Sequence, residues 1–315
     1  MNIAVIGLGG IGRRHVANFR TLGCEVRAYD ADPSRTEAAS LDEALDGADG
    51  VVIATPPDSH MEVAAAARRG RRDIYVMIEK PLGVTVKRLR APSRVPQSSH
   101  TLVAYPWRHW PPLQYVKRLL GEGRIGRILS AHTEYGCHFE KHMPHHAERP
   151  DSYLRSLARG GGCLLEMSHA IDYMRWLCGE ITEVSGVVET RVLKMDADDC
   201  ADLTVRFASG ATGGLHLSLW LSEITGRLEI TGENGALSWD RAANLVTLTE
   251  PDGLHVYKEY RRLDINAMYP AEAAHFLAVI RGGAQPVCDG HDGLQTLKVI
   301  DAARRASAEK RWVTV

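Results

Sequence analysis

Nothing in this chain spaces two cysteines as C-x-x-C. Its six cysteines, Cys24, Cys137, Cys163, Cys178, Cys200 and Cys288, are scattered. That excludes a zinc ribbon and a thioredoxin-like redox motif. The apolar N-terminus has no basic segment ahead of it, so it does not read as an export signal. Reduced thiols in a cytoplasmic protein are the expectation. No apolar run is long enough to span a bilayer, and no membrane partner is expected. An excess of one charge is also missing. The chain carries 38 Lys and Arg against 39 Asp and Glu, a net charge of −1. It therefore has no global field to steer it toward nucleic acid. There are no internal repeats and no low-complexity tracts. What remains is 315 residues, 44% of them hydrophobic, enough for about two ordinary domains with full cores.

The first recognisable piece is at the N-terminus. Residues 2–6 form a continuous apolar run, the pattern of a strand buried on both faces of a parallel sheet. Gly7-x-Gly9-x-x-Gly12 follows at once, with Gly10 and Ile11 inside it. The first glycine permits the tight turn, the second lets a pyrophosphate approach the backbone, and the third lets helix and strand pack closely. A helix from Ile11 to about Leu22 then aims its N-terminal amides at the phosphates. A second strand, Glu25 to Tyr29, ends at Asp30. That is 18 residues beyond Gly12, where an acid for the adenosine ribose is expected after about 20. Asp30 favours NAD by repelling a 2′-phosphate. Arg35 nearby leaves NADP possible.

The alternation continues. Residues 50–54 are a third strand ending in Thr55-Pro56-Pro57. An alanine-rich helix spans Met61 to Arg69, capped by Asp58 or Ser59. The run Ile74 to Ile78 is a fourth strand and delivers Glu79-Lys80-Pro81 to its carboxyl end, the edge where open α/β sheets bind ligands. Thr101 to Tyr105 is a fifth. The link between Pro81 and Thr101 is interrupted by Pro92 and Pro96. No acidic residue occurs from Lys80 to Gly121, against eight Lys and Arg. A seat for an anionic partner and an irregular surface loop both fit that stretch.

Further along, residues 162–178 have helical periodicity. Leu164, Met167, Ile171 and Met174 make an apolar stripe. Glu166, His169 and Tyr173 fall on the opposite side. From Ile181 to Glu259 short β-rich runs alternate with turns such as Glu233-Asn234-Gly235 and Pro251-Asp252-Gly253. Two helices, about Glu272–Arg281 and Gly293–Glu309, close the chain. Residues 137–146 hold four histidines and Cys137, but Pro144 breaks the segment and no regular ligand spacing results. No metal is expected there. A substrate-domain loop is the reading, with His145, His146, Arg149 or Tyr153 able to touch a sugar or phosphate.

Together these motifs resemble the glucose–fructose oxidoreductase/inositol dehydrogenase (Gfo/Idh/MocA) family over nearly the whole length. The resemblance rests on Gly7–Gly12, Thr55-Pro56 with His60, Glu79-Lys80-Pro81, and Tyr105 with Arg108. It continues through Gly160-Gly161-Gly162, His169 with Asp172, and Gly290-His291-Asp292-Gly293-Leu294. It implies an α/β protein with an N-terminal Rossmann dinucleotide-binding domain, here residues 1–120. The C-terminal domain, residues 121–315, would be α+β and built on an open, mostly antiparallel sheet that binds substrate and mediates a homodimer or homotetramer. It implies an NAD(P)-dependent dehydrogenase or reductase acting on the CH–OH groups of a sugar, cyclitol or nucleotide-linked sugar. Thr55, Pro56, His60, Glu79 and Lys80 would serve the cofactor. Tyr105, Arg108, Tyr153 and Asp172 would line the substrate side. The bond between Lys80 and Pro81 is often cis in the family. Two features depart from the pattern. Glu166 precedes His169 by three residues rather than four, and Gly70 lies ten residues before Lys80, a longer link than usual.

The chemistry supports these assignments independently. Oxidising a secondary alcohol removes a hydroxyl proton while hydride leaves carbon. One group must accept the proton and a positive charge should steady the alkoxide. His169 and Lys80 have those properties, and Glu166 can set the histidine tautomer. Two alternatives keep the same fold. One is a glycoside-cleaving enzyme that uses its NAD transiently. The other is a non-catalytic dinucleotide-binding regulator, which would be expected to lose the lysine or the histidine.

Overall fold

The computed structural model describes residues 1–315 apart from 72, 90–99, 254 and 261, and for 255–257 it describes the backbone alone. Pro92 and Pro96 lie outside the described residues. The chain runs β1 (Asn2–Ile6), α1 (Gly10–Thr21), β2 (Glu25–Tyr29), α2 (Leu41–Leu45), β3 (Gly50–Ile53), α3 (His60–Ala67), β4 (Tyr75–Glu79), α4 (Val86–Leu89) and β5 (Thr101–Ala104). It continues with α5 (Pro111–Gly121), β6 (Ile128–His138), α6 (Phe139–His142), α7 (Pro144–Ala147), α8 (Cys163–Glu166), α9 (Ser168–Cys178) and β7 (Ile181–Glu189). Then come β8 (Cys200–Phe207), β9 (Thr212–Ser218), β10 (Trp220–Gly232), β11 (Gly235–Asp240), β12 (Leu245–Thr249) and β13 (His255–Glu259), followed by α10 (Met268–Ile280), α11 (Gly290–Glu309) and β14 (Val313–Thr314).

Two units result. The first is Met1–His109 with Ile265–Leu297; the second is Trp110–Asp264 with Lys298–Val315. The single cut expected near residue 120 therefore becomes a chain that returns to its first unit late. The physical reason is α10. Its Phe276, fully buried, meets Phe19 of α1 edge-on with ring centroids 6.2 Å apart. Phe276, Ala273 and Leu277 share one apolar cluster with Ile3, Val5, Val16 and Phe19. Residues distant in sequence thus complete the core beneath the nucleotide loop.

In the first unit five strands form a wholly parallel sheet, order β2-β1-β3-β4-β5. The continuous apolar runs predicted as strands are the ones found, and β3, β4 and β5 have almost no polar side chain to offer solvent. Lys80 follows β4 directly, and the Lys80–Pro81 bond is cis. In the second unit nine strands form one sheet, order β13-β12-β11-β10-β6-β9-β8-β7-β14. It is antiparallel except where β6 runs parallel to β9. The turn Glu233-Asn234 joins β10 to β11, with Gly232 opposite Gly235.

The helix predicted over 162–178 is broken into α8 and α9 at Met167, whose ψ of 15° interrupts the first segment. Tyr173 is not on an open face as expected. It is fully buried, and its hydroxyl bonds to Thr133 of β6. A phenol with one polar tip can be packed in a core once that tip is satisfied.

Candidate active site

The nucleotide cradle is built by close backbone contacts. Gly7 sits at φ +95°, and a Cβ there would lie 2.6 Å from the Ala54 backbone. A Cβ on Gly12 would lie 1.8 Å from the Gly7 carbonyl oxygen. No side chain caps the N-terminus of α1, so its first amides are left for an anionic group. Gly9, Gly10 and Ile11 retain part of their exposure around that turn.

Asp30 is half-buried at the carboxyl end of β2. It accepts the Leu8 amide at 2.6 Å on one oxygen and the Asp32 amide at 2.9 Å on the other. It therefore fixes the glycine loop. Arg35, offered as a possible phosphate partner, is exposed and paired with Asp32 at 3.1 Å. The Ser34 hydroxyl and amide, and behind them the Arg35 charge, hold the Asp32 carboxyl below its usual range.

At the carboxyl ends of β3 and β4 the loops are tied together. Ser59 donates its hydroxyl to Thr55 Oγ1 at 2.8 Å. His60 is fully buried, which corrects its expected role as a direct cofactor contact. Its Nε2 lies 2.8 Å from the Thr55 carbonyl and its Nδ1 3.0 Å from the Pro81 carbonyl. It clips the Thr55-Pro56 loop to the Lys80-Pro81 turn. Burial pulls its pKa down from the ordinary histidine value, against the two carbonyls and the Glu79 charge. Glu79 is 9% exposed. One of its oxygens meets His15 Nε2 at 2.7 Å and the other accepts the Lys80 amide at 3.2 Å. Lys80 itself is half-buried. His15 was not anticipated. The available signal was an imidazole three residues past Gly12 on the apolar face of α1, beside Val16 and Phe19.

Tyr105 and Arg108 are 1% and 3% exposed. Both side chains are packed inside the first unit rather than open to solvent. Arg108 donates to the Val287 carbonyl at 2.6 Å and pairs with Asp292 at 3.1 Å. The Gly290–Leu294 motif is thereby explained as the anchor of that arginine.

In the second unit, α8 starts where Asp198 accepts the Leu164 amide at 2.7 Å and an Arg304 guanidinium bond at 3.1 Å. From Gly161 to Cys178 every residue is buried except Glu166, His169 and Trp176. Glu166 and His169, three residues apart, are each half-buried. Tyr135 of β6 lies edge-on to the His169 ring, centroids 6.1 Å apart. Burial, and then the Glu166 charge, raise the Cys137 thiol to about 11. Asp172, expected on the substrate side, is fully buried. Tyr153 is half-buried, with His146 edge-on to its ring at 5.3 Å.

In the histidine-rich segment two imidazoles find local partners. His142 Nδ1 lies 3.2 Å from the His138 carbonyl and His146 Nδ1 2.9 Å from the Ser152 hydroxyl. Among the described residues, the metal-compatible group is elsewhere, at Cys200, Asp202 and His216. There His216 Nδ1 bonds to Asp202 at 2.6 Å and the Arg191 guanidinium stands 3.5 Å from the same carboxylate. A guanidinium at that carboxylate disfavours a second cation.

Comparisons with known proteins match the chain in two stretches. Residues 1–104 match the model of an oxidoreductase family with an NAD-binding Rossmann fold, and residues 113–238 match the GFO/IDH/MocA C-terminal domain. Inositol 2-dehydrogenase of Rhizobium meliloti (strain 1021) is 28% identical over 308 residues, 93% of this chain and 86% of that protein. Inositol 2-dehydrogenase 2 of Saccharopolyspora erythraea is 30% identical over 287 residues, 83% and 80% respectively. A solved levoglucosan dehydrogenase in complex with NADH superposes with a TM-score of 0.88 at 23% identity, covering 100% of this chain and 99% of that one.

Proposed function

The chain belongs to the Gfo/Idh/MocA oxidoreductases, with their NAD-binding Rossmann domain, and from that we propose that it transfers hydride between NAD and a secondary alcohol of a cyclitol or sugar. The residues fit the cofactor. The cradle at Gly7 and Gly12 has no room for a side chain, and Asp30, which holds the Leu8 amide of that loop, would accept the ribose hydroxyls. NAD, when bound, supplies the hydride acceptor.

The protein's own residues handle the proton and the charge. His169 takes the hydroxyl proton, Glu166 fixes its tautomer, and Lys80 steadies the oxygen as it becomes an alkoxide. The observation that carries this reading is the partial exposure of Glu166 and His169. In a segment otherwise buried apart from Trp176, a carboxylate and an imidazole keep access on either side of the break at Met167. Half-buried Tyr153 is the further residue we assign to the substrate side. Asp30 favours NAD over NADP. The inositol dehydrogenases among the relatives make a cyclitol the first substrate to try.

Oligomerisation through the large sheet accords with the exposed apolar side chains Leu129, Val187 and Ile224 on its strands. No helix among the described residues is long and apolar enough to cross a membrane. A cytoplasmic homodimer or homotetramer is the form we propose.

The test is a panel of cyclitols, sugars and nucleotide sugars assayed with NAD and NADP. NADH should accumulate with at least one cyclitol or sugar, faster than NADPH. Cleavage of a glycoside without net NADH, or dinucleotide binding without any turnover, would replace this reading with one of its two alternatives.

A further inference from the structure

One buried acid has no place in the reaction as described. Glu272 of α10 is 1% exposed, and neither carboxyl oxygen has a hydrogen-bond partner among the described residues. An ionised carboxylate in that state is strongly disfavoured, and a neutral acid still wants an acceptor for its proton. Its neighbourhood is defined by contacts between α10 and α1. The Arg14 guanidinium lies over the Tyr269 ring at 4.3 Å, and Phe19 meets Phe276 at 6.2 Å. His15 and Glu272 fall between these two contacts on their helices. His15 is fully buried, and its Nδ1 is likewise without a partner among the described residues.

With neutral His15 the three groups can be satisfied in series. The Glu79 carboxylate accepts His15 Nε2–H at 2.7 Å. Neutral His15 then presents Nδ1 as an acceptor. A protonated Glu272 presents the complementary O–H. Ionised Glu272 would instead face the Glu79 charge in a low-dielectric core. Burial first, and then Glu79, hold the Glu272 carboxyl well above its ordinary 4.5. Other titratable groups packed against α10 include Arg14 from α1 and Arg108 with His109 from the turn Pro106–His109, and His275 of α10 itself lies beside His109.

We propose that Glu272 is a positioning residue for Lys80: a neutral acid that donates to His15 Nδ1, directly or through one water, and completes a buried chain Glu272–His15–Glu79 ending on the Lys80 amide. The chain stores one proton and holds the turn that carries the lysine. The functional half of this inference rests on the role given to Lys80 above.

Urea unfolding of the full chain at several pH values, for the wild type and Glu272→Gln, tests the stored proton without reference to catalysis. Glutamine keeps a donor and cannot ionise. The folded wild type binds one proton more than the unfolded chain above the ordinary carboxylate range. Its folding constant, relative to E272Q, should fall by about tenfold per pH unit from pH 4.5 upward until Glu272 ionises. Parallel curves overturn the proposal.

Kinetics test the link to Lys80. Glu272→Leu should lower kcat at least about tenfold while dinucleotide affinity changes less than about threefold. E272Q should recover most of that loss and shift the alkaline limb of the kcat profile. Wild-type kcat in E272L, or E272Q as impaired as E272L, overturns the positioning role. The stability comparison still decides the proton if Lys80 proves not to be catalytic.

Discussion

A Cβ on Gly12 would sit 1.8 Å from the Gly7 carbonyl oxygen, and no side-chain rearrangement relieves a clash with backbone. Gly12→Ala should therefore cost about 3 kcal/mol or more of stability and reduce NAD affinity at least about a hundredfold. A denaturant titration and a fluorescence binding titration check both numbers; wild-type affinity in the variant would mean that the loop is not the cradle. Single residues of this kind were legible in the sequence because the motif states its own stereochemistry. Asp30 was legible for the same reason. Its grip on the Leu8 amide was not, since that depends on which oxygen the loop reaches. Tyr105, Arg108 and Asp172 show the opposite limit. Polar residues in a motif read as ligands, yet burial turns them inward, where Arg108 spends its charge on Asp292 and a carbonyl. His60 and His15 lie between: both support the reactive turn from within the core.

Among the elements, α10 carries the largest surprise. Its periodicity announced a helix, but nothing in the sequence says that its partner is α1, some 250 residues earlier. Contacts over such distances are set by the shape of two apolar faces, which composition does not encode. Phe276 fills that seam with Phe19. Phe276→Ala should destabilise the chain by about 3 to 5 kcal/mol. Loss should appear in chemical denaturation as an earlier transition. A change under about 1 kcal/mol would contradict the assignment of residues 265–297 to the first unit. The break between α8 and α9 was also hidden. The apolar stripe at Leu164, Met167, Ile171 and Met174 is real, and all four are buried, but a stripe does not report a kink at Met167. What survives the kink is the partial exposure of both Glu166 and His169.

At the scale of the whole molecule, the alternation of apolar runs and helices announced a parallel sheet, and the turn-rich second half announced an antiparallel one. Both are present, with β6 and β9 as the parallel exception. The discontinuity of the first unit was not announced. The central claim is functional: an NAD-dependent dehydrogenase in which Lys80 serves the chemical step rather than cofactor capture. Single-turnover hydride transfer, followed by NADH absorbance with the best cyclitol or sugar of the panel, tests it most directly in the wild type and Lys80→Met. The account predicts NAD affinity within about threefold of wild type and a rate of NADH formation at least about a hundredfold slower, a loss of about 2.7 kcal/mol of transition-state stabilisation. NADH formation at the wild-type rate in the variant would contradict it.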